Sequence, residues 1–274
     1  MALGTRGGPA AGSCMEDTDF AMNHPLDGVC EKLRRAEESI GNLNRGIECF
    51  LDEAPFRTIP DTDEELVQKF LDYHSSRPVP KRFSVLAGEI IHHLRSSLDH
   101  VVWQLVIANG GNPDKNKTEF PIFARKPANK NEERRYGQKL KGVSSSARKL
   151  IEHLQPYNRG TGSQDDPLLI IHDMDRIDKH KELVIIVPDP KRRVTYALFG
   201  TQGPLLTLTT KKDPKKEIPV KTSWGGEVKM GGDLTAHVSF PQLGSKENQP
   251  VIPSLMALLN AVRGAINSFQ PLLE

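Results

Sequence analysis

The feature that most constrains the fold is an apolar repeat near the start of the chain. Seven apolar residues recur between positions 29 and 50, with spacings that alternate between four and three. This alternation keeps one apolar seam on one face of a helix, so the segment should pack against other helices. We predict a long helix over residues 26–53 and a homodimer formed through it. The residues of the seam are Val29, Leu33, Ala36, Ile40, Leu43, Ile47 and Phe50.

Four further helical segments follow the first. A second helix is predicted over residues 83–109, because GGNP supplies stop signals at its end. Serine caps and a proline stop predict a short helix in SSSARKLIEHLQP. Asp166 and Pro167 suit the start of a third long helix through PLLIIHDMDRIDKHKE. A last helix is predicted over residues 251–272, whereas residues 56–85 allow two short strands or one short helix.

Between the third and the last helix the pattern changes to short β-rich runs. The runs LVIIV, RRVTYALF, LLTLTT, EIPVK and LTAHVSF are separated by turn signals such as GTQG and GGD. They predict an antiparallel sheet of four to six strands. The expected fold class is α+β: an antiparallel helical bundle with an appended antiparallel β-sheet and a C-terminal helix.

The expected organisation is one domain behind a tail. Gly, Ala and Pro are frequent in residues 1–23 and predict a disordered N-terminal tail. Residues 24–274 would form a single domain, mainly a helical bundle over 24–182, β-rich over 183–242 and helical again over 251–272. NRGTGSQ, between the short helix and the third long one, is expected to be a flexible loop.

Cysteine usage and hydropathy favour the cytoplasm. The three cysteines, Cys14, Cys30 and Cys49, form no Cys-x-x-Cys pair. An odd number without such pairs fits a reducing compartment and argues against a disulfide framework or a structural zinc site. No apolar run approaches the roughly 18 residues of a membrane span. The N-terminus lacks the apolar core of a secretory signal.

Charge is distributed unevenly. The whole chain has a formal net charge of +2, which predicts no class of partner. Residues 125–149, however, contain nine Lys or Arg and only two Glu, a local net charge of +7. Such a run could bind phosphate, or it could be a solvated loop and helix face. The residues predicted to hold a nucleic-acid backbone are Arg134, Arg135, Lys139, Lys141, Arg148 and Lys149.

The second helix carries polar residues inside its apolar run, GEIIHHLRSSLDHVVWQLV. On a helical wheel, His93 and His100 line one edge of the apolar arc. His92, Arg95 and Asp99 lie on the other side, where Arg95 and Asp99 form an i,i+4 pair.

The third helix has a similar pattern. Asp173 and His180 share its flank, and Asp178 projects into its apolar arc. A carboxylate in that position should be buried and must find a cation or several donors. Arg95 is the expected partner, which makes the two helices face each other. In a purely structural interpretation, Arg95 would bond Asp99 or Asp178, and His100 would bond Asp173.

These motifs resemble a family of uncharacterised bacterial proteins. GEIIHHLRSSLDHVVWQLV, TEFPIF, LKGVSSSARKLIEHLQPY and LIIHDMDRIDKHKEL occur here in the order and at the spacing typical of that family. The resemblance covers roughly residues 24–187 and implies strands within 56–85. It implies no established activity.

A more remote resemblance is to HEPN domains, whose signature is Arg-x4-His. Arg95-Ser96-Ser97-Leu98-Asp99-His100 fits this signature. HEPN domains are helical bundles, often dimeric, and many are metal-independent ribonucleases. The resemblance implies that Arg95 stabilises phosphate charge and that His100 moves a proton, with RNA as the partner. The supporting polar residues would be His92, His93, Asp99, Asp173, Asp178 and His180.

Two alternatives are also considered. The histidines and aspartates could hold a metal, but the chain has no His-Glu-x-x-His motif and no Glu-x-x-His pair on each of two helices. His92 and His93 also point about 100° apart, so no metal or cofactor is predicted. The alternative to an enzyme is a protein-interaction module, in which the sheet binds a partner and the polar helix residues only hold the bundle together.

Overall fold

The computed structural model describes residues 24–54, 58–60, 69, 72–73, 77–187, 193–200, 203–211, 227–235 and 237–273. The fold is α+β, a helical bundle with antiparallel β-structure and a C-terminal helix, as predicted. The proposed tail over residues 1–23 and the run EIPVK lie outside the described residues.

Six α-helices are present in the described part of the chain. The predicted 83–109 and 251–272 helices are confirmed within two residues at their starts. The third long helix ends at Asp178, earlier than the sequence pattern implied. The bounds are α1 (Asp27–Asp52), α2 (Lys81–Ala108), α3 (Lys130–Lys139), α4 (Ser145–His153), α5 (Pro167–Asp178) and α6 (Val251–Asn267).

The apolar seam of α1 forms one wall of the core, because all seven of its residues are buried. The ring of Phe50 at the end of α1 meets the ring of Phe83 at the start of α2, with centroids 5.8 Å apart. These two helices are therefore antiparallel. Glu37 of α1 also accepts a hydrogen bond from Arg263 of α6 at 2.8 Å. The seam is thus satisfied inside one chain, and the predicted homodimer remains a prediction.

Side-chain caps start the shorter helices at the predicted places. Ser144 accepts a hydrogen bond from the Ala147 amide at 3.3 Å, which begins α4. Asp166 accepts from the Leu168 amide at 2.9 Å, which begins α5. The segment between them, Pro156–Asp165, forms 3₁₀ turns interrupted at Gly160, where φ is +60°. The predicted flexible loop is therefore a set of hydrogen-bonded turns.

The described residues form two antiparallel sheets. Their strands are β1 (Thr58–Pro60), β2 (Arg193–Gly200), β3 (Gly203–Lys211), β4 (Glu227–Thr235), β5 (Ser239–Leu243) and β6 (Lys246–Pro250). The first sheet has the order β1-β4-β2-β3, and the second is a hairpin of β5 and β6. β1 lies in the segment that the sequence left open between strands and helix. The prediction of a strand at LVIIV was wrong, because only Ile186 makes an isolated bridge there, to Ser239.

Of the helices in the described ranges, none combines the length and the apolar composition needed to cross a membrane.

Candidate functional site

Arg95 of α2 is buried rather than exposed to solvent. Its side chain is only 7% exposed. One guanidinium nitrogen donates to Asp99 Oδ1 at 2.5 Å, and another donates to the carbonyl oxygen of Phe120 at 2.9 Å. Asp99 Oδ1 also accepts from the Phe120 amide at 2.8 Å. We call this arrangement of Arg95, Asp99 and Phe120 the arginine clip. It fastens the chain that follows α2 back onto that helix.

Asp178 is not the partner of Arg95. The carboxylate of Asp178 instead lies against the backbone of α2 at Gly88, where an added Cβ would come within 2.2 Å of Asp178 Oδ1. The prediction that Asp178 is the buried carboxylate was also wrong, since it is only partly buried. The buried carboxylate of α5 is Asp175, which is 5% exposed.

Asp175 links α5 to α2 through His92. It lies 3.3 Å from His92 Nδ1 and 2.5 Å from Lys179 Nζ. Partial burial and the neighbouring Asp175 raise the pKa of Asp178, while His92 opposes this effect. A cleft of about 620 Å³ opens here between α2 and the end of α5. Its walls are formed by Lys81, Val85, Glu89, His92, His93, Asp178 and Glu182.

His100 lines a second cavity, of about 520 Å³, which Asp99 of the arginine clip also borders. We call it the His100 cavity. One wall is α2, with two ring side chains one turn apart. The other wall is the lysine loop (residues 114–119), which directly precedes Phe120 of the arginine clip. The lining residues are Asp99, His100, Trp103, Gln104, Lys115, Asn116, Lys117, Thr118 and Glu119.

The lysine loop is held by its own hydrogen bonds. Asp114 accepts from the Asn116 amide at 2.9 Å, and the Asp114 amide donates to Thr118 Oγ1 at 2.9 Å. The Thr118 amide closes the turn by donating to the Asp114 carbonyl at 2.8 Å. Lys115 and Lys117 are both exposed on this turn. Two ammonium groups are therefore presented on a defined backbone at the edge of the cavity.

The imidazole of His100 is exposed, and it makes no hydrogen bond to any residue that the structure describes. Partial burial lowers the pKa of His100, Lys32 of α1 lowers it further, and Asp99 opposes the shift. The ring is therefore neutral at pH 7, which is the form that can accept a proton. The pairing of His100 with Asp173 expected in the structural interpretation is absent, since Asp173 bonds Arg176 at 3.0 Å.

The remaining predicted supporting residues lie apart from the His100 cavity. His93 lines the cleft between α2 and α5, and its Nδ1 is buried without a hydrogen-bond partner among the described residues. Burial lowers the pKa of His93, with smaller contributions from Lys32 and His92. His180 is exposed beyond the end of α5. The predicted residues therefore do not form one site: His92, His93 and Asp178 line the cleft between α2 and α5, whereas Asp99 and His100 line the His100 cavity.

The basic residues of 125–149 are divided in a similar way. Lys139 is ion-paired with Glu119 of the lysine loop, and Arg148 bonds the carbonyl of Val143 at 3.0 Å. Arg125 bonds Glu132 at 2.7 Å. These three cations have structural partners. The other six cations of the segment are all exposed: Lys126, Lys130, Arg134, Arg135, Lys141 and Lys149.

The ion pair between Lys139 and Glu119 connects α3 to the His100 cavity. Burial lowers the pKa of Lys139, the nearby Arg95 lowers it further, and Asp99 opposes the shift. Lys139 is therefore close to the arginine clip as well as to Glu119. Consequently the C-terminal end of α3 contacts the rim of the His100 cavity. The exposed cations of α3 lie along the helix from that end.

Sequence reasoning did not select Asp175, Lys115, Lys117 or Glu119. The lysines stand in a polar connection without periodicity, so only the folded turn shows that they face His100. Trp103 also forms part of the cavity wall.

The comparisons leave function open. Among the described residues, no three His, Cys, Asp or Glu side chains are grouped so that they could hold a metal ion. The chain matches no protein-family model, no curated protein and no solved structure. Both resemblances stated from the sequence therefore remain predictions.

Proposed function

We propose that this chain binds RNA in the His100 cavity and cleaves it without a metal, as the HEPN resemblance predicts. The observation that carries the proposal is an exposed imidazole that lines the same cavity as two lysines. A proton acceptor beside cations is the combination that phosphodiester cleavage next to a ribose hydroxyl requires.

The proposed reaction is an internal transesterification. His100 accepts the proton of the ribose 2′-hydroxyl, and the 2′-oxygen attacks the adjacent phosphorus. The bond from phosphorus to the 5′-oxygen breaks, and that oxygen takes a proton from water. The resulting hydroxide receives the proton held by His100, which restores the neutral imidazole. The products are a 2′,3′-cyclic phosphate and a 5′-hydroxyl. The reaction consumes no oxidant, reductant or cofactor.

Lys115 and Lys117 are better placed than Arg95 to meet the phosphate. Both lysines are exposed and line the cavity, whereas the guanidinium of Arg95 is buried and bonded to Asp99 and Phe120. In this proposal Arg95 acts as a positioning residue that holds the end of the lysine loop. Arg134 and Arg135, two of the exposed cations of α3, extend the path for the RNA backbone away from the cavity.

The test is cleavage of a labelled oligoribonucleotide in the presence of a chelator. His100→Gln should lose cleavage by about 100-fold or more, the usual contribution of a positioned acid–base group. His180→Gln, which changes an exposed histidine away from the cavity, is the matched control and should cleave at the wild-type rate. An inactive wild-type protein, or a folded His100→Gln variant with full activity, would overturn the cleavage proposal.

The second candidate is a protein-interaction module without catalysis. The arginine clip favours it, because Arg95 is fully accounted for by structural hydrogen bonds. In this case RNA would neither bind nor be cleaved.

Two further parts of the proposal concern the cell and the assembly. The odd number of cysteines supports a cytoplasmic protein. A homodimer through residues 26–53 would have to use the charged outer face of α1, because the apolar seam is buried within the chain.

A further inference from the structure

Two ring side chains share the α2 wall of the His100 cavity. His100 and Trp103 are three residues apart on one helix, and both line the cavity together with Gln104. Residues three and four apart on a helix are neighbours on its surface. Trp103 is only partly buried, so its indole is available at the wall rather than enclosed in the core.

The facing wall supplies a different chemistry. Lys115 and Lys117 stand on the hydrogen-bonded lysine loop, and Glu119 at its end is fixed by its ion pair with Lys139. The cavity therefore has an aromatic surface on the helix side and ammonium groups on the loop side, of which Lys117 lies 3.7 Å from the Asp114 carboxylate. The two carboxylates that line the cavity, Asp99 and Glu119, are paired with Arg95 and Lys139. A ligand that satisfies both walls needs a flat aromatic part and an anionic part within one small unit.

The size of the cavity limits what can enter. A volume of about 520 Å³ lies within the range of small-molecule sites, and it is too small for a duplex. A nucleotide has the required aromatic base and phosphate. In a duplex, however, the base is covered by its stacking neighbours and cannot reach an indole without being unpaired.

We propose that the His100 cavity takes one unpaired nucleotide, with its base stacked on Trp103 and its phosphate at Lys115 and Lys117, so that single-stranded RNA is the substrate class. This inference rests on the proposed function, since it names the ligand of the same cavity. Trp103 is a positioning residue: by holding the base, it places the ribose and its 2′-hydroxyl beside His100. Stacking accepts every base, so little sequence preference is expected.

The test is direct binding of oligoribonucleotides to three proteins of the full chain: wild type, Trp103→Phe and Trp103→Leu. Loss of one stacked base should weaken binding of a single-stranded oligoribonucleotide by about 5- to 100-fold in Trp103→Leu. Trp103→Phe retains a ring and should recover most of the affinity. The wild type should also bind the single strand more tightly than the corresponding duplex RNA.

A fluorescence experiment supplies a readout that a structural role would not change. In a Trp224→Phe background Trp103 is the only tryptophan of the chain. Its emission should be quenched by the single-stranded oligoribonucleotide, and less by the same strand with abasic sites throughout.

The outcomes separate the inference from the proposed function. Equal RNA affinity of the wild type and a folded Trp103→Leu variant, without quenching, overturns the stacking inference and leaves RNA binding intact. Preference for duplex RNA also overturns it. Absence of RNA binding by the wild type overturns the proposed function and this inference together.

Discussion

Among single residues, hydrogen bonding inside the protein separates the structural polar side chains from the candidate functional ones. Arg95 fits the signature that predicted catalysis, yet two of its guanidinium nitrogens bond Asp99 and the Phe120 carbonyl. His100 has the opposite environment, since it is exposed at a cavity. One motif therefore contributes a structural residue and a candidate catalytic residue.

Replacing Arg95 should destabilise the protein through the arginine clip. Arg95→Ala leaves the Phe120 carbonyl without its side-chain donor and Asp99 Oδ1 with the Phe120 amide alone. The loss of a buried hydrogen-bond partner costs about 1–3 kcal/mol. Urea unfolding should show this loss. Arg95→Lys should recover only part of it, because one ammonium cannot reproduce the planar fork of the guanidinium. An Arg95→Ala protein as stable as the wild type would show that the clip is not a stabilising feature.

The sequence placed Asp178 in the core, and the reason for the error is geometric. A helical wheel assumes 100° per residue and gives a direction, but not the depth at which a neighbouring helix packs. Asp175 and Asp178 differ by about 60° on such a wheel. Gly88 allows α2 to lie close to Asp178. Asp175 is the buried carboxylate, and it contacts His92 and Lys179.

At the scale of elements, α2 and α5 meet through a close contact that needs glycine. The Asp178 carboxylate occupies the space that a side chain at position 88 would fill. Gly88→Ala should therefore destabilise the protein by about 1–3 kcal/mol, the usual cost of overpacking. In an Asp178→Ala background the obstructing atoms are gone. There, Gly88→Ala should stabilise by about 0.5–1 kcal/mol, because alanine favours helix over glycine.

A double-mutant cycle of these four proteins measures the contact. The sign of the Gly88→Ala effect should reverse between the two backgrounds. The same sign and size in both would mean that Asp178 does not occupy the space beside Gly88.

Elements with local signals were predictable, and those that depend on distant contacts were not. The α1 seam was predicted from residue spacing, and the start of α5 was predicted from Asp166 and Pro167. Both predictions were confirmed. LVIIV has the composition of a strand, but Leu183 and Ile185 are buried in the core without a strand partner along the run. Apolar composition alone does not distinguish a buried strand from a buried irregular segment.

At the scale of the whole molecule, histidine burial predicts a dependence of stability on pH. Burial lowers the pKa values of His93, His100 and His172. Below about pH 6.5, the usual histidine pKa, the unfolded chain therefore binds more protons than the folded one, and stability falls as the pH falls. Asp178, whose pKa is raised, acts in the opposite direction.

The urea midpoint should accordingly decrease between pH 7.5 and pH 5.5. His172→Gln removes the most enclosed of the three rings and should make this decrease smaller. A midpoint that stays constant or rises on acidification would contradict the burial of these histidines.

From the sequence, a function of the whole molecule could be proposed only as a class. The motif directed attention to α2, but the cavity is completed by the lysine loop, which no periodic pattern marks. The contact between this loop and α3, through Glu119 and Lys139, depends on the folded chain. Sequence reasoning could therefore propose RNA, but it could not identify the surface that would bind it.

The salt dependence of RNA affinity tests directly whether RNA binds at the His100 cavity. A single-stranded oligoribonucleotide is titrated into wild type, Lys115→Gln/Lys117→Gln, and the control Lys181→Gln/Lys246→Gln, whose lysines are exposed elsewhere. If both loop lysines meet phosphate, their variant binds more weakly, and its slope of log affinity against log salt is shallower by about 1.4, at 0.7 for each phosphate contact. The control keeps the wild-type slope. Identical affinity and slope in all three proteins would show that RNA does not bind at the His100 cavity.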